Sequence, residues 1–167
     1  AVVDAEAVLG SHDHDHHERQ SIGFRHMTAS NGNQRAVVAA RRDESPVDTE
    51  EIRGLAEAAG YAVVDALTQT RPEDPGTNLG AGKVQEIATR VTETGADALV
   101  VDDELTPQQT VNLREAMPDE TAVLDRYRLV LDVFADGAET RRAQLQMELA
   151  RLQYRLPRIR AASDEGL

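Results

Sequence analysis

A glycine-rich turn that ends in a lysine is the part of this sequence best suited to hold an anion. The turn is Gly80-Ala81-Gly82-Lys83, and Lys83 is the only lysine in the chain. Glycines let backbone N–H groups approach an anion closely, the helix predicted to start here offers its positive dipole end, and the lysine adds a charge. Gly80, Gly82 and Lys83 are therefore candidates for nucleotide or anion binding. The alternative is a tight loop that only lets the helix dock closely on a sheet.

The same turn departs from the two common phosphate-binding patterns. A Walker A loop needs a glycine where Thr77 stands and a serine or threonine where Val84 stands, and a dinucleotide fingerprint needs its third glycine at Gln85. The turn therefore indicates an anion site without specifying a nucleotide. A stand-alone nucleotide- or anion-binding module stays open as an alternative function.

Carboxylates form a second candidate site directly after the third predicted strand. Asp102 and Asp103 are weak candidates for metal ligands, because carboxylate oxygens suit Mg²⁺. Asp103 also resembles the phosphoryl acceptor of a receiver domain, but nothing in the sequence supplies the lysine that such a domain needs after a fifth strand. The preferred interpretation is a solvated strand end whose carboxylates help to cap the next helix, with no metal bound.

Histidine and cysteine, on which most hydrolytic mechanisms depend, are missing from the regularly patterned part of the chain. There is no cysteine, and every histidine precedes residue 27. The histidines are His12, His14, His16, His17 and His26. No partner for a serine nucleophile is recognisable either, so the sequence predicts no catalytic residue and favours a binding or regulatory module over an enzyme.

Arginines concentrate towards the end of a chain whose net charge is −12. Residues 126–160 carry eight arginines and four acids, and the arginine fork binds phosphate in a bidentate way. One hypothesis is contact with RNA, and the other is pairing with the plentiful acids of the preceding domain. The candidates for RNA or ribosome contact are Arg126, Arg128, Arg141, Arg142, Arg151, Arg155 and Arg158.

Composition sets the broad class of the protein. Seventeen arginines against one lysine, with thirty acids, are typical of a protein adapted to high salt. The absence of cysteine excludes disulfides, no apolar run is long enough to span a membrane, and no secretory signal is recognisable. We therefore expect a cytoplasmic location and no membrane partner.

Strand and helix patterns alternate four times along the middle of the chain. Short apolar runs predict strands, and capping boxes are predicted at Asp48 with Glu51 and at Thr106 with Gln109. Pro107 is predicted at the first position of the helix after Thr106, and the preceding helix is predicted to end at Gly95. The predicted strands are Ala36–Ala40, Tyr61–Leu67, Ala98–Val101 and Ala122–Leu124. The connections are long enough for parallel pairing, which predicts an α/β fold with a small parallel sheet of about four strands flanked by helices, and a crevice at the carboxyl ends of the strands.

A helical extension follows the predicted sheet. After an apolar patch at residues 129–134, a long helix is predicted from about Glu139 to Leu156. Its leucines are spaced by four, three and four residues, as in a coiled coil, and they require a partner helix that does not follow before Leu167. The pattern favours a truncated helical subdomain with possible self-association through this row. The row consists of Leu145, Leu149, Leu152 and Leu156.

Five units of the chain follow from these patterns. Residues 1–26 are interpreted as a purification tag or disordered leader, with the natural start at Met27, and residues 27–34 as a flexible lead-in. Residues 35–126 are predicted to form the α/β nucleotide-binding-like domain, residues 127–160 the helical extension, and residues 161–167 a disordered tail.

Several collinear segments resemble the N-terminal domain of HflX-type GTPases. They are Gly80–Ile87, Val101–Gln109 with Asn112-Leu113, Val123–Arg126 with Leu129–Ala135, Thr140-Arg141 with Leu145–Leu152, and Leu156–Arg158. Ordered motifs with the same spacing are far more specific than any one of them. The resemblance covers about Arg35 to Arg160, but Tyr127-Arg128 stands where the family has Thr-Gly, and Arg142-Ala143-Gln144 where it has Glu-Gly-Lys.

This resemblance implies a domain cut off before the GTP-hydrolysing domain of a cytoplasmic, ribosome-associated factor. Such a domain is expected to contact the large ribosomal subunit and its RNA near the peptidyl-transferase centre, to tune its own GTPase domain, and to help split or rescue ribosomes. GTP and Mg²⁺ are implied as cofactors of the parent protein and none in this chain, with residual ATP binding as a weaker possibility. The high-salt composition adds the expectation of a halophilic archaeal source.

Overall fold

The computed structural model describes residues 34–165, with side chains up to Ser163. The elements are β1 Gln34–Arg42, α1 Glu50–Ala58, β2 Tyr61–Thr70, α2 Ala81–Thr94, β3 Ala98–Val101, α3 Pro107–Ala116, β4 Ala122–Asp125, α4 Arg126–Asp136 and α5 Arg141–Glu165. The predictions for residues 1–33, which include the histidine tract and the start at Met27, lie outside the described residues.

Four parallel strands in the order β2-β1-β3-β4 form the sheet, which confirms the predicted α/β class. β1 pairs with β2 along its whole length, with one register shift between Ala36 and Val37, whereas β3 and β4 contribute four residues each. Residues 36–40 of β1 have no exposed surface. A strand that is covered on both faces has a continuous run of apolar residues in its sequence. This pattern was the basis for predicting β1.

Helices cover both faces of the sheet. α2 and α3 pack on one face, where Ile87 and Leu113 meet Val37 and Leu99 of the central strands. α1 and α4 pack on the other face, where Ile52 and Leu129 meet Val38 and Val100. Burying each such aliphatic side chain stabilises the fold by roughly 1.5–3 kcal/mol. α4 shares this core. The boundary predicted at residue 126 therefore separates the sheet from one of the helices that cover it.

The helix ends match the sequence expectation at several positions. Thr106 and Gln109 form a reciprocal capping box with Pro107 at the first helical position, and Gly95 ends α2 in the left-handed conformation. The capping box predicted at Asp48 and Glu51 is wrong, because Asp48 Oδ1 accepts from the Glu50 N–H and α1 starts only at Glu50. A local turn around the aspartate has replaced the cap.

α5 is longer than the sequence predicts. It continues past Leu156, where we predicted its end, to Glu165, with Pro157 inside the helix. Proline removes one backbone donor and usually ends a helix, but here the next turn is anchored. Arg158 donates to the carbonyl of Tyr154 at 2.8 Å and to that of Leu105, ahead of α3, at 2.6 Å. The described helix therefore extends into the segment that the sequence assigns to a disordered tail.

A buried carboxylate joins α5 to the α/β body. Asp125, at the end of β4, has no exposed surface and accepts from the Leu105 N–H at 3.0 Å and the Arg128 N–H at 2.9 Å. Arg158 Nη2 of α5 lies 3.6 Å from the same carboxylate. One side chain thus caps α4, holds the loop before α3 and pairs with the final helix.

We expect Asp125→Ala to lower the free energy of unfolding by about 3–5 kcal/mol, because it leaves two buried N–H groups without an acceptor and removes the carboxylate that pairs with Arg158. Asp125→Asn keeps the shape and one oxygen acceptor and should cost less. The exposed Asp136→Ala variant is the control and should stay within about 0.5 kcal/mol of wild type. Urea unfolding followed by circular dichroism measures the three values; equal midpoints for Asp125→Ala and Asp136→Ala would contradict the assignment.

Candidate functional site

The strand order creates a switch point between β1 and β3. From β1 the chain continues to β2 on one side of the sheet, and from β3 it continues to β4 on the other side. The sequence predicted a crevice at these carboxyl ends, and ion pairs fill it. Arg42 Nη2 lies 2.7 Å from Asp102 Oδ2, and Arg41 Nη2 lies 3.3 Å from Asp103 Oδ2. Arg41 is buried and also donates to the carbonyl of Arg71 at 3.0 Å.

Asp102 is held between two guanidinium groups. It is buried, and besides Arg42 it accepts from Arg126 Nη1 at 3.0 Å, while Arg126 also pairs with Glu51. The hydrogen bond to Asp102 raises the pKa of Arg126. Among residues 34–165, no group of three or more histidine, aspartate or glutamate side chains is arranged to hold a metal ion. The interpretation as a solvated strand end is wrong for Asp102, which is buried between the two arginines. Metal binding by Asp102 and Asp103, which the sequence analysis did not favour, is not tested by this geometry alone.

The glycine turn packs closely against the end of β2. The Gly80 N–H donates to Gln69 Oε1 at 2.9 Å, and a Cβ added at Gly80 would lie 2.2 Å from Arg71 Nη1. Glycine therefore permits this close approach. Gly82 lies in the first turn of α2 with open space around it, and Lys83 Nζ is 2.9 Å from Glu86 Oε2. The structure thus shows the tight loop, and anion binding by these residues stays a prediction.

Polar side chains of α3 hold the loop that leads to this turn. Gln109 Nε2 donates to Glu73 Oε1 at 3.0 Å, and Asn112 Nδ2 donates to the carbonyl of Gly76 at 2.8 Å. Within the loop, Asp74 accepts from the N–H groups of Gly76 and Thr77, and these bonds lower the pKa of Asp74. Side chains of α3 therefore hold the loop before Gly80, although the two regions are 36 residues apart in sequence.

Asn78 is the innermost residue of that loop. It is fully buried with a positive φ of 64°, and its Nδ2 donates to Asp103 Oδ2 at 2.9 Å and to Glu73 Oε1 at 3.2 Å. Asparagine tolerates this backbone conformation better than most residues do. The sequence analysis did not select Asn78, Gln109 or Asn112 as site residues. The available signal was a polar residue next to apolar ones, as Asn112 stands between Val111 and Leu113.

Four of the predicted RNA-contact arginines form ion pairs within the protein. Besides Arg126, these are Arg128 and Arg151, which share Asp132 Oδ1 at 3.2 and 3.1 Å, and Arg158, which pairs with Asp125. The structure therefore shows the pairing alternative for this group. Of the others, Arg141 and Arg142 are exposed in the first turn of α5, and Arg155 is half-buried on the same helix. RNA contact by all seven stays a prediction.

A groove of about 720 Å³ separates α5 from the edge strand β4. Its walls carry arginines from three helices, and its floor is formed by apolar groups of the sheet edge. Residues lining it include Arg114, Arg128, Arg151, Arg155, Arg158, Tyr61, Val123 and Leu124. The exposed Arg114, in the last turn of α3, was missed by the sequence analysis because its helix lies far from α5 in the chain.

Two tyrosines and an arginine stack beside this groove. Tyr154 of α5 is buried, with the Arg158 guanidinium 3.5 Å from its ring centroid and the Tyr127 centroid 5.6 Å away at a tilt of 31°. Burial raises the pKa of Tyr154, and the charge of Asp125 and a hydrogen bond to it add to that effect. The stack fastens α5 to the start of α4.

The leucine row of α5 is exposed, although Leu152 also lines the groove towards the body. Its members and Ile159, one turn further on, are between 40% and 56% exposed. The row consists of Leu145, Leu149, Leu152 and Leu156, as the spacing predicted. No described helix covers it. A continuous apolar stripe of this kind indicates a surface for another helix.

We expect the raised pKa of Tyr154 to make α5 docking sensitive to alkali. A folded-state pKa above the unfolded value of 10.0 means that this contribution is complete below pH 10.0 and is lost as pH rises above it. In Tyr154→Phe the free energy of unfolding should decrease less steeply with pH than in wild type between about pH 10 and about pH 11.5. Part of the slope should remain, because burial also raises the pKa of Tyr61. Equal slopes for both proteins would contradict this account.

Comparison with known protein families gives a match over most of the α/β body. The family model described as GTP-binding GTPase N-terminal matches residues 47–135. A GTPase HflX of Lacrimispora saccharolytica is 41% identical over 125 residues, which is 74% of this chain and 29% of that protein. A GTPase HflX of Methanocaldococcus jannaschii is also 41% identical, over 66% of this chain and 27% of that protein.

A solved structure has the same fold. The GTP-binding protein from the hyperthermophilic archaeon Sulfolobus solfataricus, in complex with GDP, superposes with a TM-score of 0.60 at 27% identity. The superposition covers 78% of this chain and 40% of that one. The chain therefore spans less than a third of the curated relatives it matches, and less than half of this solved structure.

Proposed function

Since this chain belongs to the HflX family of GTPases, as its N-terminal domain, we propose that it binds the large ribosomal subunit and regulates the GTPase domain of the whole protein. In this proposal the domain contacts ribosomal RNA and contributes to splitting or rescuing ribosomes in the cytoplasm. GTP and Mg²⁺ act at the GTPase domain, and this domain supplies recognition.

The observation that carries the proposal is the double character of α5. One flank is fastened to the body through Arg151 and Arg158, and the other presents the leucine row. Exposed arginines stand at its start, in a chain that is otherwise acidic. A rigid helix with an apolar stripe and basic groups can hold the rest of the protein on one side and a phosphate backbone on the other.

Two further findings concern the membrane and the glycine turn. In the described part of the chain, no helix is both long and apolar enough to cross a membrane. The Gly80–Lys83 turn supports the alternative of an anion-binding module less well, because the Gly80 N–H already donates to Gln69 within the protein.

We expect the chain to sediment with purified large ribosomal subunits, and Arg141→Ala/Arg142→Ala to weaken that association roughly tenfold through two lost phosphate contacts. Both arginines are exposed, so the fold should be unaffected. The association should weaken steeply with added salt in wild type and less steeply in the variant.

The matched control for this experiment is Arg35→Ala/Arg53→Ala, which removes the same charge from exposed arginines of β1 and α1. It should bind within about twofold of wild type, since a change outside the basic segment removes no phosphate contact. Failure of the wild-type chain to sediment at any salt concentration at which it is folded would refute the proposal.

We expect the leucine row to drive self-association of this chain when nothing else covers it. Leu149→Gln/Leu156→Gln should remain monomeric at concentrations where wild type forms dimers or larger species, because it removes two apolar anchors of the stripe. Phe134→Gln, which changes a more exposed apolar residue outside the row, should associate as wild type does. Sedimentation velocity distinguishes these outcomes, and a monomeric wild type would show that the row does not bind its own copy.

A further inference from the structure

We propose that Tyr127 is a stacking platform for an unpaired RNA base, with phosphate contacts from the arginines on either side of it. The inference rests on the proposed RNA contact of this domain and assigns to it a residue and a mode of recognition. Tyr127 was not among the candidate residues selected from the sequence. It stands where the resembled family pattern has threonine, so the platform belongs to this chain and not to the family pattern.

The ring of Tyr127 is both exposed and held in place. It is 44% exposed, although it stacks on Tyr154 with centroids 5.6 Å apart. Tyr154 is in turn held by Arg158, which lies 3.5 Å from its centroid and is anchored to the carbonyl of Leu105. A ring supported from behind in this way loses little freedom when a base stacks on its open side.

The arginines beside Tyr127 are placed to meet a phosphate. Arg126 keeps one hydrogen bond to the buried Asp102, which fixes its guanidinium, while its second partner, Glu51, is 70% exposed. Ion pairs with such exposed carboxylates are weak, so a phosphate can replace Glu51 while Asp102 keeps Arg126 in position. Arg128 is fixed from the other side by Asp132.

This combination favours single-stranded RNA over a protein or duplex partner. Proteins that bind single strands stack bases on aromatic rings and neutralise the backbone with basic groups, whereas the bases of a duplex are already stacked on each other. The other exposed aromatic residue among those described, Phe134, is 65% exposed but has aspartates two residues away on both sides, at Asp132 and Asp136. Tyr127 instead lies between two arginines in the sequence, Arg126 and Arg128, and stacks on a second aromatic ring.

The test measures binding of the full chain to a fluorescent unstructured RNA oligonucleotide and to a duplex RNA of equal length. Tyr127→Ala should weaken single-strand binding roughly tenfold and change duplex binding less than about twofold. Tyr127→Phe keeps the ring and should bind as wild type does. Phe134→Ala is the matched control and should also bind as wild type does. Urea unfolding checks that each variant is folded.

A measurement on wild type makes the test independent of variant stability. Ultraviolet cross-linking to the same oligonucleotide, followed by mass spectrometry, should place a nucleotide on Tyr127. Absence of that cross-link, unchanged single-strand binding by Tyr127→Ala, or an equal loss in Phe134→Ala would overturn the inference. An equal loss in Tyr127→Phe would overturn it too, because the hydroxyl and not the ring would then be required.

Sedimentation with large subunits separates this inference from the proposed function. If wild type and Tyr127→Ala sediment equally while single-strand binding is unaffected, ribosome association stands and the platform is refuted. If Tyr127→Ala loses only the subunits, Tyr127 contacts a protein and the platform is again refuted. A wild type that binds neither subunits nor RNA overturns both.

Discussion

A carboxylate cut off from water must find its hydrogen-bond donors inside the protein, and the arrangement of this domain follows from how Asp125 meets that requirement. Two N–H donors come from the loop before α3 and from the first turn of α4, and Arg158 of α5 adds an ion pair. Since each lies on a different element, the charge that ends β4 also fixes where α5 crosses the body. Tyr154 of α5 then completes the contact by stacking on Tyr127 at the start of α4.

Two other carboxylates also join separate elements by pairing with arginines. Several arginines near the end of the chain therefore pair with acids of the protein itself. Asp102 is shared by Arg42 and Arg126, and Asp132 by Arg128 and Arg151. Arginine suits this use because its planar fork can address two partners at once, which the single ammonium of lysine does less well. What remains for a partner are the exposed arginines at the start of α5 and the part of the Arg126 guanidinium that faces the exposed Glu51.

The proposed function depends on the rigidity of α5 more than on any single charge. A helix docked at its middle and towards its end presents its leucine row and its first arginines in fixed positions relative to the sheet. The glycine turn and the loop before it are equally fixed, by Gln109 and Asn112 of α3. The domain thus offers prearranged surfaces for the proposed recognition role.

Local patterns were sufficient for the elements and insufficient for the contacts between them. The four strands, the capping box at Thr106, the end of α2 at Gly95 and the exposed leucine row were all readable from the sequence, because neighbours within one or two turns decide them. The end of α5 was misjudged at Pro157, since its anchor, the bond from Arg158 to Leu105, joins residues 53 positions apart. Which arginines are paired, and the stacking of Tyr127 on Tyr154, likewise depend on how the helices pack on the sheet. These contacts depend on how distant segments fit together and on which side chains become buried. The spacing of residues along the chain does not contain that information.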